Sequence, residues 1–160
     1  MVVDDDAYEW QGLHKPSSEW HFRRSILQSS DDFGAVIRTH SMYSTILSIG
    51  RREIPRCHYM IAAFGGDTVR CAQYATFGTP ELSANILKAM KGRSACLMAN
   101  HGMVVAGSDL DKAMWSAVEL ETLAKQYYHA DLSNCVQLLS KVEIKKVLGA
   151  FANYGPSKDK

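Results

Sequence analysis

Cysteine and proline are sparse in this chain, long apolar runs are missing, and neither sign of charge dominates. The 160 residues include four cysteines, Cys57, Cys71, Cys96 and Cys135, with no Cys-x-x-Cys pair. That spacing suggests neither a zinc ribbon nor a thioredoxin-type redox pair. No apolar stretch approaches the roughly 18–20 residues that cross a bilayer as a helix. The formal net charge is +1, so electrostatics gives no argument for nucleic acid or an anionic membrane as partner. The opening residues, MVVDDDAYEW, are acidic where a signal or transit peptide would be basic and apolar. Cys71 and Cys96 sit in apolar contexts and read as buried small hydrophobes, and a reducing, cytoplasmic setting is expected.

What is present is the composition of a globular domain, 46% hydrophobic and 22% charged. The length suits one domain over 1–160 with a proper core. AYEWQGL reads as a short strand, and residues 17–30, SSEWHFRRSILQSS, as an amphipathic helix with Trp20, Ile26 and Leu27 among its apolar positions. GAVIRT is a strand and SMYSTILSIG a helix stopped by Gly50. Residues 54–78 show no clear period and read as loops around one or two short strands. TPELSANILKAMKG is a helix capped by Thr79, with Pro80 in its first turn and Gly92 at its close. SACLMAN is a buried strand. A long helix follows from a capping box of Ser108 and Asp111, with Leu110, Ala113, Ala117, Leu120, Ala124 and Tyr127 as its stripe. A last helix is expected at roughly 136–150. Strands alternate with helices, so the class is α/β.

Three residues lie where a regular element meets a polar loop: Glu19 near a helix start, His40 after a strand, and His101 between ACLMAN and Gly102. On a strand, residues two apart share a side, so Arg38 and His40 should face one space. Imidazole and carboxylate at strand ends are the usual raw material of a zinc site. The plainer alternatives are a hydrogen-bonded surface histidine and a glutamate placed by the helix dipole. Ser17 and Ser18 enter a helix, where hydroxyls and free N–H groups suit a phosphate, although a simple cap explains them as well. Tyr59 could donate a proton or only bond to the backbone. His14, His21 and His129 read as solvated polar-face residues.

KPSSEW, AVIRTHSMYSTILSIGRREIPRCHYMI, CAQYATFGTPELS and ANHGMVVAGSDLDKAMWSAVELETLAKQYY together closely resemble the class II aldolase family, the family of fuculose-phosphate aldolases and ribulose-phosphate 4-epimerases. The resemblance runs from about Tyr8 to Tyr154. It implies a three-layer α/β/α fold around a largely antiparallel sheet, assembled as a homotetramer with sites between subunits. It implies one zinc ion per subunit, bound here by His40, His101 and, at rest, Glu19. Glu19, Tyr59 and Tyr154 would be the catalytic set. Ser17 and Ser18 would hold phosphate and Phe77 would line the aldehyde pocket. The implied reaction is cleavage of a phosphorylated sugar, L-fuculose 1-phosphate or a related ketose 1-phosphate, to dihydroxyacetone phosphate and L-lactaldehyde.

Two departures stand against this pattern. The family has further chain ahead of the segment seen here, including parts of the phosphate site, so the domain is expected to be short at its N-terminus. Arg38 falls where the family has the first metal-binding histidine. A guanidinium has no lone pair to give and repels a dication. Either Arg38 swings away and leaves two imidazoles and one carboxylate for zinc, or it pairs with Glu19 and fills the hole. The first is the expectation, with Arg38 left as a substrate-binding residue. A non-catalytic, adducin-head-like binding subunit is the alternative function, and a pentulose-phosphate 4-epimerase a third.

Overall fold

The computed structural model describes residues 17–151, together with a ribbon in which Val2–Val3 (β1) pairs antiparallel with Trp10–Gln11 (β2). The main sheet has four strands: Ala35–Thr39 (β3), Cys71–Ala72 (β4), Ala95–Met98 (β5) and Gly102–Gly107 (β6). Their order is β3-β6-β5-β4, antiparallel except for the parallel β4–β5 pair. Among the described residues five α-helices surround it: Trp20–Gln28 (α1), Met42–Ile49 (α2), Pro80–Met90 (α3), Leu110–Leu132 (α4) and Lys141–Phe151 (α5).

The period of two along β5 and β6 divides the core into two layers. Ala95, Leu97, Met103 and Val105 pack with Leu47 of α2 and with Leu120 and Leu123 of α4. The alternate residues Cys96, Met98, Val104 and Ala106 pack with Phe22 and Ile26 of α1 and with Leu82 and Ile86 of α3. Helices on both faces leave these strands buried throughout, which is why they read as unbroken apolar runs. Each large side chain so buried is worth about 1.5–3 kcal/mol. The three-layer α/β/α arrangement follows.

Several local expectations need correction. β6 occupies 102–107, where no element was expected, because glycines at both ends dilute its strand signal. The β5–β6 turn uses left-handed backbone at Asn100 (φ 61°) and Gly102 (φ 117°). Residues 59–64 form a 3-10 helix, Tyr59–Phe64, which a search for a period of 3.6 passes over. The cap of α4 is Asp109, whose carboxylate accepts from Lys112 N–H at 2.7 Å, and not a Ser108–Asp111 box. The capping box lies instead at α5, where Ser140 and Glu143 exchange hydrogen bonds at 2.7 and 3.2 Å; α5 therefore starts at Lys141 and not near residue 136. Leu27 and Leu110 are exposed, while Phe22 carries the apolar face of α1. Thr79 caps α3 as expected.

Candidate active site

One end of the sheet gathers most of the residues that carry chemistry. β3 runs out at Thr39, β5 ends just before Asn100 and His101, and β6 starts at Gly102. Thr39 pairs with Met103 in the ladder, which brings the end of β3 beside the β5–β6 turn. The approach is tight: a Cβ on Gly102 would lie 2.4 Å from the Thr39 carbonyl and 3.3 Å from the His40 Cα. The turn is tied to α2 as well, since Gly102 N–H donates to Ser48 Oγ (3.1 Å) and Asn100 N–H to the Ser48 carbonyl (3.0 Å).

His101 turns towards the loop after β4. Its ring stacks on Tyr74, with centroids 5.4 Å apart, and its Nε2 lies 2.8 Å from the Ala75 carbonyl. A carbonyl only accepts, so Nε2 carries the proton. Farther along the same loop, Gly78 packs against the Ser18 backbone, within 3.1 Å of where a side chain would begin. Ser17 and Ser18 are exposed, and Ser17 Oγ accepts from Glu19 N–H at 3.3 Å. Phe77, 61% exposed, stands on this loop.

Glu19 closes the circuit. It sits at the start of α1 and is buried, yet its carboxylate caps no N–H of its own helix. Oε1 is 3.2 Å from Arg38 Nη2, and Oε2 is 3.9 Å from Arg23 Nη2 one turn along α1. Arg38 is largely buried, and its Nε is a buried donor without a partner. Thr45 Oγ1, facing Gly102, is likewise buried and unpartnered. Such orphans are rare in folded proteins and mark places where a ligand oxygen or water can bond.

Contacts thus run from Glu19 through Arg38 on β3 to Thr39, His40 and Gly102, and on from His101 through Ala75 to the loop beside Ser18. The strand ends between Arg38 and His40: Arg38 stays on β3 and turns to Glu19, while His40 lies past it and is exposed. Tyr59 stands elsewhere, half exposed at the start of the 3-10 helix with its ring 4.8 Å from that of His58. Tyr154 lies outside the described residues. The broad cleft of about 770 Å³, lined by Phe33, Phe64, Lys88, Arg93 and Ser94 among others, is at the opposite end of β3 and β5. Arg23, Tyr74 and Thr45 were not expected at the site. Only Arg23 had a readable signal, its i,i+4 spacing from Glu19.

The expected zinc can be tested against this geometry. Arg38 does not swing away; it holds the carboxylate that would face the metal. The Nε2 of His101 is spent on Ala75, and among the described residues no three His, Cys, Asp or Glu side chains are placed to hold a metal ion. A dication about 4 Å from a guanidinium meets roughly 8 kcal/mol of repulsion at an effective dielectric of 20. The side chains as arranged here do not fit the metal.

Layers, strand order and the placement of strand-end residues define a class II aldolase fold. The family described as Class II Aldolase and Adducin N-terminal domain matches residues 1–128. The chain belongs to this family. It is 46% identical over 155 residues to a 5-methylthioribulose-1-phosphate/5-deoxyribulose-1-phosphate aldolase of Rhodospirillum rubrum, covering 97% of this chain and 70% of the relative. It is 45% identical over 156 residues to the L-fuculose phosphate aldolase of Escherichia coli K12, covering 97% of this chain and 72% of the relative. A solved L-fuculose 1-phosphate aldolase superposes with a TM-score of 0.89 at 38% identity, over 94% of this chain and 70% of that one. No helix among the described residues is long and apolar enough to cross a membrane.

Proposed function

We propose that this chain is an aldehyde-lyase that splits a ketose 1-phosphate into dihydroxyacetone phosphate and a short aldehyde. The observation that carries the reading is the near-equal identity, 46% and 45%, to relatives named for two such substrates. The first relative and the solved structure are both named for a ketose 1-phosphate, so the phosphate-bearing half is the common element and the aldehyde half is left open. In the cleavage, the C4 hydroxyl loses its proton as its oxygen becomes the aldehyde carbonyl. The C3–C4 bond breaks with its electron pair on C3, and C3 is then protonated. Glu19 is the group to deliver and recover that C3 proton, with Ser17 and Ser18 receiving the phosphate. Tyr59 and Tyr154 are the candidates for the aldehyde oxygen and Phe77 for the aldehyde's apolar end. The family resemblance gives Tyr59 this role in the site of a neighbouring copy, as in a tetramer.

The Arg38–Glu19 pair favours a second reading, a binding member of the fold without catalysis. The two separate in one assay. Purified protein is given 5-deoxyribulose 1-phosphate or L-fuculose 1-phosphate, and dihydroxyacetone phosphate release is followed through a coupled reductase. The lyase reading expects turnover that falls by about 10²–10⁴ in Glu19→Gln. Release no faster than in Glu19→Gln with either sugar, with and without added zinc, would leave the binding reading standing.

A further inference from the structure

We infer that Arg38 takes the place of the metal: this chain does not load a divalent ion at the strand-end site, and the Arg38 guanidinium supplies its fixed positive charge. The inference goes beyond the lyase reading and holds whether or not cleavage occurs.

Four observations converge. Glu19 Oε1 is already engaged by Arg38 at 3.2 Å, and Oε2 faces Arg23 at 3.9 Å, so both oxygens point at cations. A guanidinium presents five donors and no lone pair to a metal ion. With Glu19, Arg23 and Arg38 together, the cluster already carries one excess positive charge before any ion arrives. His101 offers its Nε2 proton to Ala75, and the ring is clamped there by Tyr74. Finally, Arg38 keeps one buried donor, Nε, with nothing bonded to it. A site built for a dication would present acceptors to that space, whereas this one presents a donor. Its complement is therefore an anionic oxygen, such as a carboxylate, a phosphate or the oxyanion of an enediolate.

Elemental analysis and zinc titration of the wild-type chain, purified without chelator, test the inference directly. The expected result is far less than one zinc per chain after dialysis and no saturable heat. Arg38→His removes the guanidinium and restores a lone pair, and zinc should bind it at least tenfold more tightly than the wild type. Its melting temperature should rise with zinc while that of the wild type stays put. One zinc per wild-type chain, or equal zinc affinity in the two proteins, overturns the inference. Should Arg38→His fail to fold, the wild-type stoichiometry alone decides. Cleavage is read separately, once in chelator and once with added zinc. Zinc-free protein without turnover refutes the lyase reading and leaves this one intact, and zinc-loaded protein with turnover does the reverse.

Discussion

The start of α2 hangs on one side chain from α4, the helix packed beside it. Glu121, in the middle of α4, accepts from Tyr43 N–H at 2.7 Å, from Ser44 N–H at 2.9 Å and from Ser44 Oγ–H at 2.8 Å. Ser41 precedes the helix but its hydroxyl makes no capping bond, so the carboxylate does the work of the cap. Replacing Glu121 with Ala strands two helix-terminal N–H groups and the fully buried Ser44 hydroxyl. Three charge-assisted bonds at face value would sum to more than one residue delivers, since water returns to an exposed terminus. A lost cap costs up to about 2 kcal/mol, and loss of a carboxylate from the positive end of the helix dipole adds about 0.3–1 kcal/mol. The expected total is about 2–3 kcal/mol, or a fall in melting temperature of roughly 5–10 °C for a domain of this size. Glu121→Gln keeps one acceptor oxygen and should lose about half as much. Urea and thermal unfolding by far-ultraviolet circular dichroism read both variants. A loss below about 0.5 kcal/mol in Glu121→Ala would refute the assignment of the cap. So would simple additivity of Glu121→Ala with Ser44→Ala, because partners in one network should couple by about 0.5 kcal/mol or more.

Two further outcomes are open to measurement. Gly102→Ala places a methyl group 2.4 Å from the Thr39 carbonyl at a φ of 117°, and should cost about 3 kcal/mol in equilibrium unfolding. Gly149→Ala meets nothing within 4 Å and should instead gain about 0.5–1 kcal/mol of helix propensity; equal effects would refute the close approach at the site. Among the thiols, burial raises Cys57, pushes Cys71 up to about 11 and raises the fully buried Cys96 further, while Cys135 is exposed. Raised values mean less thiolate at neutral pH, so iodoacetamide should label Cys135 first and Cys96 last in the native protein. The rate at Cys71 should climb about tenfold per pH unit towards its value near 11; labelling of Cys96 as fast as Cys135 would contradict the packing.

How much of this was readable depended on whether a residue's role is local. β5 showed because a strand covered on both faces is apolar without a break. α3 showed because its cap, its first-turn proline and its dipole charge all lie within its own sequence. Residues 54–78 hid a good part of the core, with Ile54, Ile61, Phe64 and Val69 all fully buried. They follow no helix or strand period there, since a 3-10 turn and an isolated bridge between Ile54 and Val69 carry them. At the site, Glu19, His40 and His101 were visible as polar residues at element ends. The pairing of Arg38 with Glu19 was legible as one of two alternatives; the choice between them was not, because a long side chain on a strand can reach either way. Glu121 was equally hidden, since its ligands sit about 77 residues earlier in the chain.

The hidden contacts bear on what a change at position 38 can do. α2 is fixed at its start by Glu121, and at its end by Ser48, which holds the β5–β6 turn through Asn100 and Gly102. His40 precedes that helix and His101 lies on that turn, so the backbone next to both is held by bonds that do not involve the Arg38 side chain. A zinc site commonly draws its order from the ion itself, because binding energy and folding energy are then one quantity. Here the scaffold is held by backbone bonds and by the partly buried carboxylate of Glu121. On the inference above, a guanidinium can stand at position 38 without unravelling the strand end around it. The same logic runs backward: histidine at position 38 should be accepted by β3, whose ladder with β6 uses the backbone alone. On the inference above, metal binding at this site turns on charge and lone pairs at position 38, and because Arg38 is the near partner of the buried Glu19, Arg38→His should lower the melting temperature of the zinc-free protein as well.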